Sequence, residues 1–297
     1  MQCTSKVFMV KPVRFGYNPQ TAKNNSFINM NNQYDCQNMA FREFLSFTSL
    51  LKANKINVCL AEDTVYPYTP DSIFPNNWFS THQDGTFVLY PMFAQNRRDE
   101  RKEEFQKIIK NNFSVKKTLD LTHWENEGKF LEGTGSMVLD RINKIAYACK
   151  SPRTSEEVLK DFCEQMGYTY ILFEAKDING EDIYHTNVTM AICTDFCFLC
   201  PDSIVKGKEE ILNSLKGTNK KIIELTYEQM DHFAGNILEL KNTNGRKFLI
   251  MSATARRSFS SEQLRSLSKT HRILSPNLET IESVSGGSAR CMLAELF

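Results

Sequence analysis

The sequence predicts one α/β domain, spanning 1–297, built from about five similar units. Short β-like runs alternate with amphipathic helices from end to end. A strand–strand–helix–strand rhythm recurs roughly every 50–60 residues, a period compatible with a circular array. No Pro-rich or Gly/Ser-rich linker divides the 297 residues, and no segment is low in complexity.

Taken in order, Val7 to Pro12 reads as a strand. Phe41, Phe44, Leu45, Leu50 and Leu51 at helical spacing predict a helix over Met39 to Ala53, and Asn57 to Ala61 a second strand. Asn77 to Ser80 and Thr86 to Pro91 read as paired strands joined through the Asp84-Gly85 turn. A charged helix from about Arg98 to Asn111 follows. Thr154-Ser155-Glu156-Glu157 has the composition of a capping box opening a helix to about Met166. Thr226-Tyr227-Glu228-Gln229 and Ser260-Ser261-Glu262-Gln263 repeat the pattern. Thr189 to Cys193 and Phe196 to Cys200 predict a hairpin around Thr194-Asp195. Phe248 to Ala253 and Ala289 to Leu296 predict late strands, and Gly245 and Gly286-Gly287 mark turns.

The chain is 41% apolar and 24% charged, an ordinary profile for a globular protein large enough to bury a full core. Its 36 basic and 35 acidic side chains give a net charge of +1, which offers no electrostatic footprint for nucleic acid or an anionic membrane. Val7 to Val10 is too short for a signal-peptide core, and no apolar run approaches the length of a membrane span. The nine cysteines are odd in number and scattered, as expected of free thiols in a cytoplasmic protein.

Cys291 follows Gly286-Gly287, which let the backbone turn tightly and leave room beside a thiol. A thiol attacks as thiolate, so it needs a neighbouring base or cation, and histidine can both take and return a proton near neutral pH. Of five histidines, His185 stands at the entrance to a strand in Tyr184-His185-Thr186-Asn187. Glu132 opens Glu132-Gly133-Thr134-Gly135, a carboxylate at a crowded turn; the Lys-Ser/Thr ending of a phosphate loop is missing. Asp71 through Trp78, with Asn76 and Asn77, is the densest polar–aromatic cluster. Arg97, Arg98 and Arg153 are candidates for a bidentate clamp on a substrate carboxylate. Each of these also has a plain structural reading: a buried strand cysteine, a hydrogen-bonded histidine, Asx turns around a tryptophan anchor, arginines at solvated helix starts. Cys193-x3-Cys197-x2-Cys200 has the spacing of a radical iron–sulfur site, but on a predicted apolar hairpin buried thiols are the simpler reading.

In their order along the chain, these segments resemble the guanidino-group-modifying superfamily, the penteins, and within it an amidinotransferase-like or citrulline-utilisation branch. The marks are Phe15-Gly16-Tyr17-Asn18 with Asn24-Asn25, Asp71 through Trp78, Leu131 through Gly135, His185-Thr186-Asn187 and Gly286 through Met292. The resemblance implies a five-bladed α/β propeller with Cys291 as nucleophile, His185 as general acid/base and Glu132 as a hydrogen-bonding carboxylate. It implies substrate contacts from Asp71, Asn76, Asn77, Arg153, Asn187 and one of Arg97 and Arg98. No metal or organic cofactor is implied; the partner is a small molecule, and self-association into a homodimer stays open. In arginine deiminases two aspartates grip the guanidinium, and their places correspond here to Asn77 and Asn187. Amides bring hydrogen bonds without charge, which suits a neutral ureido group and points to citrulline, hydrolysed to ornithine, carbon dioxide and ammonia through an S-carbamoyl or related intermediate. Hydrolysis of a guanidine, amidino transfer, and a non-catalytic binding role on the same fold are the alternatives.

Overall fold

The structure, a computed structural model, describes residues 1–22, 27 and 35–297. Strands β1 (Lys6–Lys11) and β2 (Asn57–Glu62) come first. They are followed by β3 (Phe79–Thr81), β4 (Thr86–Leu89) and β5 (Lys117–Asp120), then β6 (Met137–Asp140), β7 (Ile145–Cys149) and β8 (Thr169–Ala175). Next are β9 (Met190–Ile192), β10 (Phe196–Leu199), β11 (Ile204–Lys206) and β12 (Lys221–Glu224). The series ends with β13 (Leu238–Lys241), β14 (Lys247–Ile250), β15 (Arg272–Leu274) and β16 (Ala294–Leu296).

Among the described residues these strands form five separate sheets: β3-β4-β5, β6-β7-β8 with β11 added at the edge, β9-β10-β12, β13-β14-β15, and β16-β1-β2. All five share one topology. The first strand runs antiparallel to the second, and the second parallel to the third. A parallel pair needs a long crossover, and a helix supplies it in each case: Glu103–Asn112, Glu156–Met166, Lys208–Gly217, Ser261–Ser268 and, between β1 and β2, Cys36–Ala53.

Burial follows composition. The middle strands β4 and β10 are buried throughout and, apart from Thr86, apolar, as expected of strands covered on both faces. The third strands β5 and β12 bury one position each and leave charged residues in solvent. Glu156–Met166 buries Val158, Leu159, Phe162, Cys163 and Met166, the stripe expected of a helix laid on a sheet, and ends at Gly167 with φ 66°.

The first strands of several units touch one another, β16 with β3, β6 with β9, and β9 with β13. The turns that lead into these first strands therefore gather in one place. They are Pro75–Asn77 before β3, Gly133–Ser136 before β6, Thr186–Thr189 before β9, the segment through Asn236 before β13, and Gly286 to Leu293 before β16.

Four local expectations are corrected. The helix expected from Arg98 to Asn111 is two helices, Gln95–Arg98 and Glu103–Asn112, because Glu100 turns inward to Arg97 and Arg101 outward to Glu125. The boxes at Thr226 and Ser260 form, whereas at Thr154 the cap is Ser155. Its hydroxyl accepts from the Phe130 N–H and leaves the helix uncapped by side chains. Strand β14 stops at Ile250, and Ser252 caps a new helix, Ala253–Ser258. The last strand is only Ala294–Leu296, so Cys291 lies on the turn before it, its N–H donating to Ser288 O at 3.0 Å. Among the described residues no helix is long and apolar enough to cross a membrane.

Candidate active site

A narrow cleft is lined by Thr21, Asp71, Phe74, Asn77, Arg97, Arg153, Tyr184, His185, Ser285, Gly287 and Cys291. Three of the sheets send residues at their leading turns to it: Asn77 before β3, His185 before β9, and Gly287 and Cys291 before β16. His185 is the residue just before Thr186–Thr189, and Glu132 just before Gly133–Ser136. Their side chains meet at 2.8 Å, Nε2 to Oε2, fully enclosed. Burial raises the Glu132 carboxyl, but Arg153, the His185 hydrogen bond and Arg97 outweigh it and hold the group at about 2. Burial pushes the His185 imidazole down to about 4 against the pull of Glu132. At neutral pH the pair is therefore a carboxylate accepting from a neutral ring whose proton sits on Nε2. That leaves Nδ1 as the nitrogen able to take a proton.

Two glycines make this approach possible. A Cβ on Gly135 would lie 2.4 Å from Asn77 Nδ2 and 2.8 Å from His185 Nδ1; one on Gly133, whose φ is +46°, would lie 2.5 Å from Asn76 O. A carboxylate beside two close glycines thus marks a turn pressed against its neighbours.

Cys291 is buried, and two amides donate to its sulfur: Asn187 Nδ2 at 3.6 Å and Asn236 Nδ2 at 3.1 Å. Asn77 Oδ1 accepts from Arg97 Nη1 at 2.8 Å, which turns its amide nitrogen toward Glu132 O, 3.5 Å away. Asp71 Oδ2 accepts from Asn18 Nδ2 at 2.7 Å and Thr21 Oγ1 at 3.1 Å. Its other oxygen is buried and has no hydrogen-bond donor among the described residues.

The arginines separate. Arg97 is buried and committed within the protein, to Glu100 at 2.9 and 3.0 Å, to Asn77, and to Phe74 O at 3.1 Å, so it orients Asn77 instead of offering a free fork. Burial lifts the Glu100 carboxyl to about 7 despite Arg97 beside it. Arg98 does not line the cleft; it bonds Met92 O at 3.0 Å and lies 3.6 Å from Glu125. Arg153 does line it, its guanidinium 4.7 Å from the Tyr184 ring centre and bonded to Thr21 O at 2.9 Å. Asn76 sits behind the lining, its amide 3.3 Å from Thr134 Oγ1. Asn24 and Asn25 lie outside the described residues. Sequence reasoning missed Glu100, Thr21 and Asn236. Asn236 stands two residues ahead of a first strand, as Asn77 does ahead of β3, a relation that shows only once the strands are placed.

Cys193, Cys197 and Cys200 are all fully buried in an apolar cluster around β10, where burial pushes their thiols up. Among the described residues no group of three or more His, Cys, Asp or Glu could hold a metal ion.

The family model for eukaryotic N,N dimethylarginine dimethylhydrolase matches residues 11–297. The N-terminal domain of ArgZ, an arginine dihydrolase from the ornithine-ammonia cycle in cyanobacteria, solved with substrate, superposes with a TM-score of 0.76 at 16% identity, over 98% of this chain and 97% of that one. AgrE in complex with ornithine and NAD+ gives 0.77 at 18% identity, over 98% of this chain and 39% of that one. A dimethylarginine dimethylaminohydrolase adduct with S-methyl-L-thiocitrulline gives 0.68 at 15% identity, with both chains covered in full. At these identities the structural likeness is one of fold. Direct comparison with curated protein sequences finds no match.

Proposed function

Because the chain belongs to the eukaryotic N,N-dimethylarginine dimethylhydrolase family, and with it to the guanidino-group-modifying superfamily of C–N hydrolases, we propose that it hydrolyses the guanidine of an arginine-like substrate with Cys291 as nucleophile. The five sheets of common topology are read as the blades of one propeller. The observation that carries the substrate is Asp71, which lines the cleft with one carboxylate oxygen accepting no hydrogen bond among the described residues. A buried carboxylate oxygen without a donor is costly, and a substrate guanidinium or ammonium would supply both donor and charge.

In this reading His185 Nδ1 takes the thiol proton as Cys291 Sγ adds to the guanidino carbon. The proton passes to the departing nitrogen, which leaves as ammonia or an amine, and an S-alkylthiouronium remains on Cys291. His185 then draws a proton from water, which attacks the same carbon; the C–S bond breaks and a ureido product departs. Glu132 fixes the ring tautomer and stabilises the imidazolium in both steps. Arg153 brings positive charge to the cleft lining, suited to a substrate carboxylate.

A second reading, citrulline hydrolysis, is favoured by Asn77 and Asn187, which bring amides without charge close to the reacting centre. Purified protein assayed side by side on L-arginine, dimethyl-L-arginine and L-citrulline, with Cys291→Ser as control, separates the two. Turnover of a guanidine with a ureido product is expected. Turnover of citrulline alone would overturn the guanidine reading in favour of the ureido one, and turnover that survives in Cys291→Ser would sink both.

A further inference from the structure

We infer that Asn236 is a catalytic residue, its side-chain N–H holding the Cys291 sulfur as the thiolate that attacks substrate; this rests on Cys291 being the nucleophile proposed above. The amide Nδ2 lies 3.1 Å from Sγ, and among the described residues the sulfur is its sole acceptor. The other end of the same side chain is pinned, Oδ1 accepting the backbone N–H of Arg290 at 2.9 Å, so the amide cannot rotate away without breaking that bond. Asn236 is 3% exposed, so its amide approaches the sulfur from within the protein.

The fold is shaped to bring it there. A Cβ on the preceding Gly235 would fall 2.0 Å from Val188 O, so only glycine lets this turn lie against the turn that carries His185 and Asn187. Phe233, at φ 62°, starts the bend, and the Asn236 N–H closes it on Phe233 O at 2.9 Å. Asn187 and Asn236 thus reach one sulfur from the leading turns of two sheets.

The chemistry is differential. A neutral thiol is a weak acceptor, so an amide aimed at it gains little; a thiolate accepts a charge-assisted bond roughly twice as strong. A buried sulfur anion without donors is heavily penalised. Donors held in place before the reaction therefore favour the charged, attacking form.

A purely structural role, anchoring the Arg290 backbone through Oδ1, is the competing explanation, and Asn236→Asp separates them. It keeps an oxygen for the Arg290 N–H and replaces the donor at sulfur by a carboxylate oxygen. The readout is the rate of iodoacetamide alkylation at Cys291 against pH, followed by peptide mass, with Tm measured in parallel. The expected result is a Tm near that of the wild type, with alkylation at neutral pH at least about tenfold slower and the profile displaced upward by about one pH unit or more. Asn236→Ala, lacking the repulsive oxygen, should move the same way by less, and it serves if the aspartate variant does not fold. An unchanged profile in a folded variant would overturn the inference. Alkylation needs no substrate, so that failure is distinct from absence of guanidine turnover by a wild-type protein that shows the expected shift.

Discussion

Among the described residues are two buried glutamate–histidine pairs, and they are nearly the same object. His185 meets Glu132 at 2.8 Å and His271 meets Glu239 at 2.9 Å, in both cases through Nε2. They differ in what surrounds them. Glu239 is saturated by the Thr194 N–H at 2.6 Å and hydroxyl at 2.7 Å, and has Lys247 3.4 Å away. The other nitrogen of His271 faces the Thr270 hydroxyl at 2.9 Å, and the ring is closed off by the edge of Phe196. His185 Nδ1 has no hydrogen-bond partner among the described residues, and its ring lines a cleft shared with Cys291. The pair is a way of satisfying buried polar groups; in the proposed mechanism, chemistry depends on leaving one nitrogen uncommitted in the cleft that holds Cys291.

That contrast predicts opposite phenotypes for the same substitution. Glu132→Gln should lower kcat by about 10²–10³-fold, since it removes the charge that holds the tautomer and the developing imidazolium. Glu239→Gln should leave kcat within about twofold and cost roughly 1–3 kcal/mol in a denaturant melt. Equal losses of kcat in the two variants would break the comparison.

A smaller effect sharpens it. Gly135→Ala places a methyl against the His185 ring and the Asn77 amide, and a displacement of about 1 Å at a reacting group costs up to about 10²-fold. Steady-state kinetics of this variant at wild-type stability test whether the position of His185, beyond its presence, sets the rate; unchanged kcat says that it does not.

The smallest effect is on stability against pH. Folding lowers His185 to about 4 from its ordinary value near 6.5. Between those values the unfolded chain binds a proton that the native state refuses, so stability is full above about 6.5 and is lost as pH falls toward 4. Tm measured across that window should decline in the wild type and less steeply in His185→Asn. Identical slopes would place the acid sensitivity elsewhere, since Glu132, held at about 2, loses its contribution only at lower pH.

Much of this site was legible in the sequence for one physical reason: each polar residue sits on the turn just ahead of a buried strand, where local composition changes abruptly. Cys291, His185, Glu132 and Asn77 announce themselves that way, and Asp71 stands upstream in the same polar–aromatic cluster as Asn77. Arg97 and Arg98 could not be told apart, because helix neighbours point about 100° from each other and only the distant Asn77 and Phe74 decide which is drawn in. Glu100 was invisible as a charged residue in a charged stretch. Asn236 is flanked by apolar residues in a segment without a motif, and becomes legible only once the sheets are known to share one topology. The cap at Thr154 shows the converse. The local pattern was right for a box, and a contact from Phe130 took the hydroxyl of Ser155 instead.

The pairing of β16 with β1, which sets Leu296 beside Lys6, has a consequence in time. Glu132 and His185 are translated long before Cys291, and the turn bearing the cysteine is anchored by a strand that finds its partner across nearly the whole sequence. Such non-local closure is slow compared with the folding of the other four sheets, whose strands lie close together in sequence. During synthesis the Glu132–His185 pair can be assembled while Cys291 is still unmade or unseated. With Cys291 as the proposed nucleophile, catalytic competence would arrive late, and a partly folded chain would carry the reactive groups without the geometry that makes them act on a substrate.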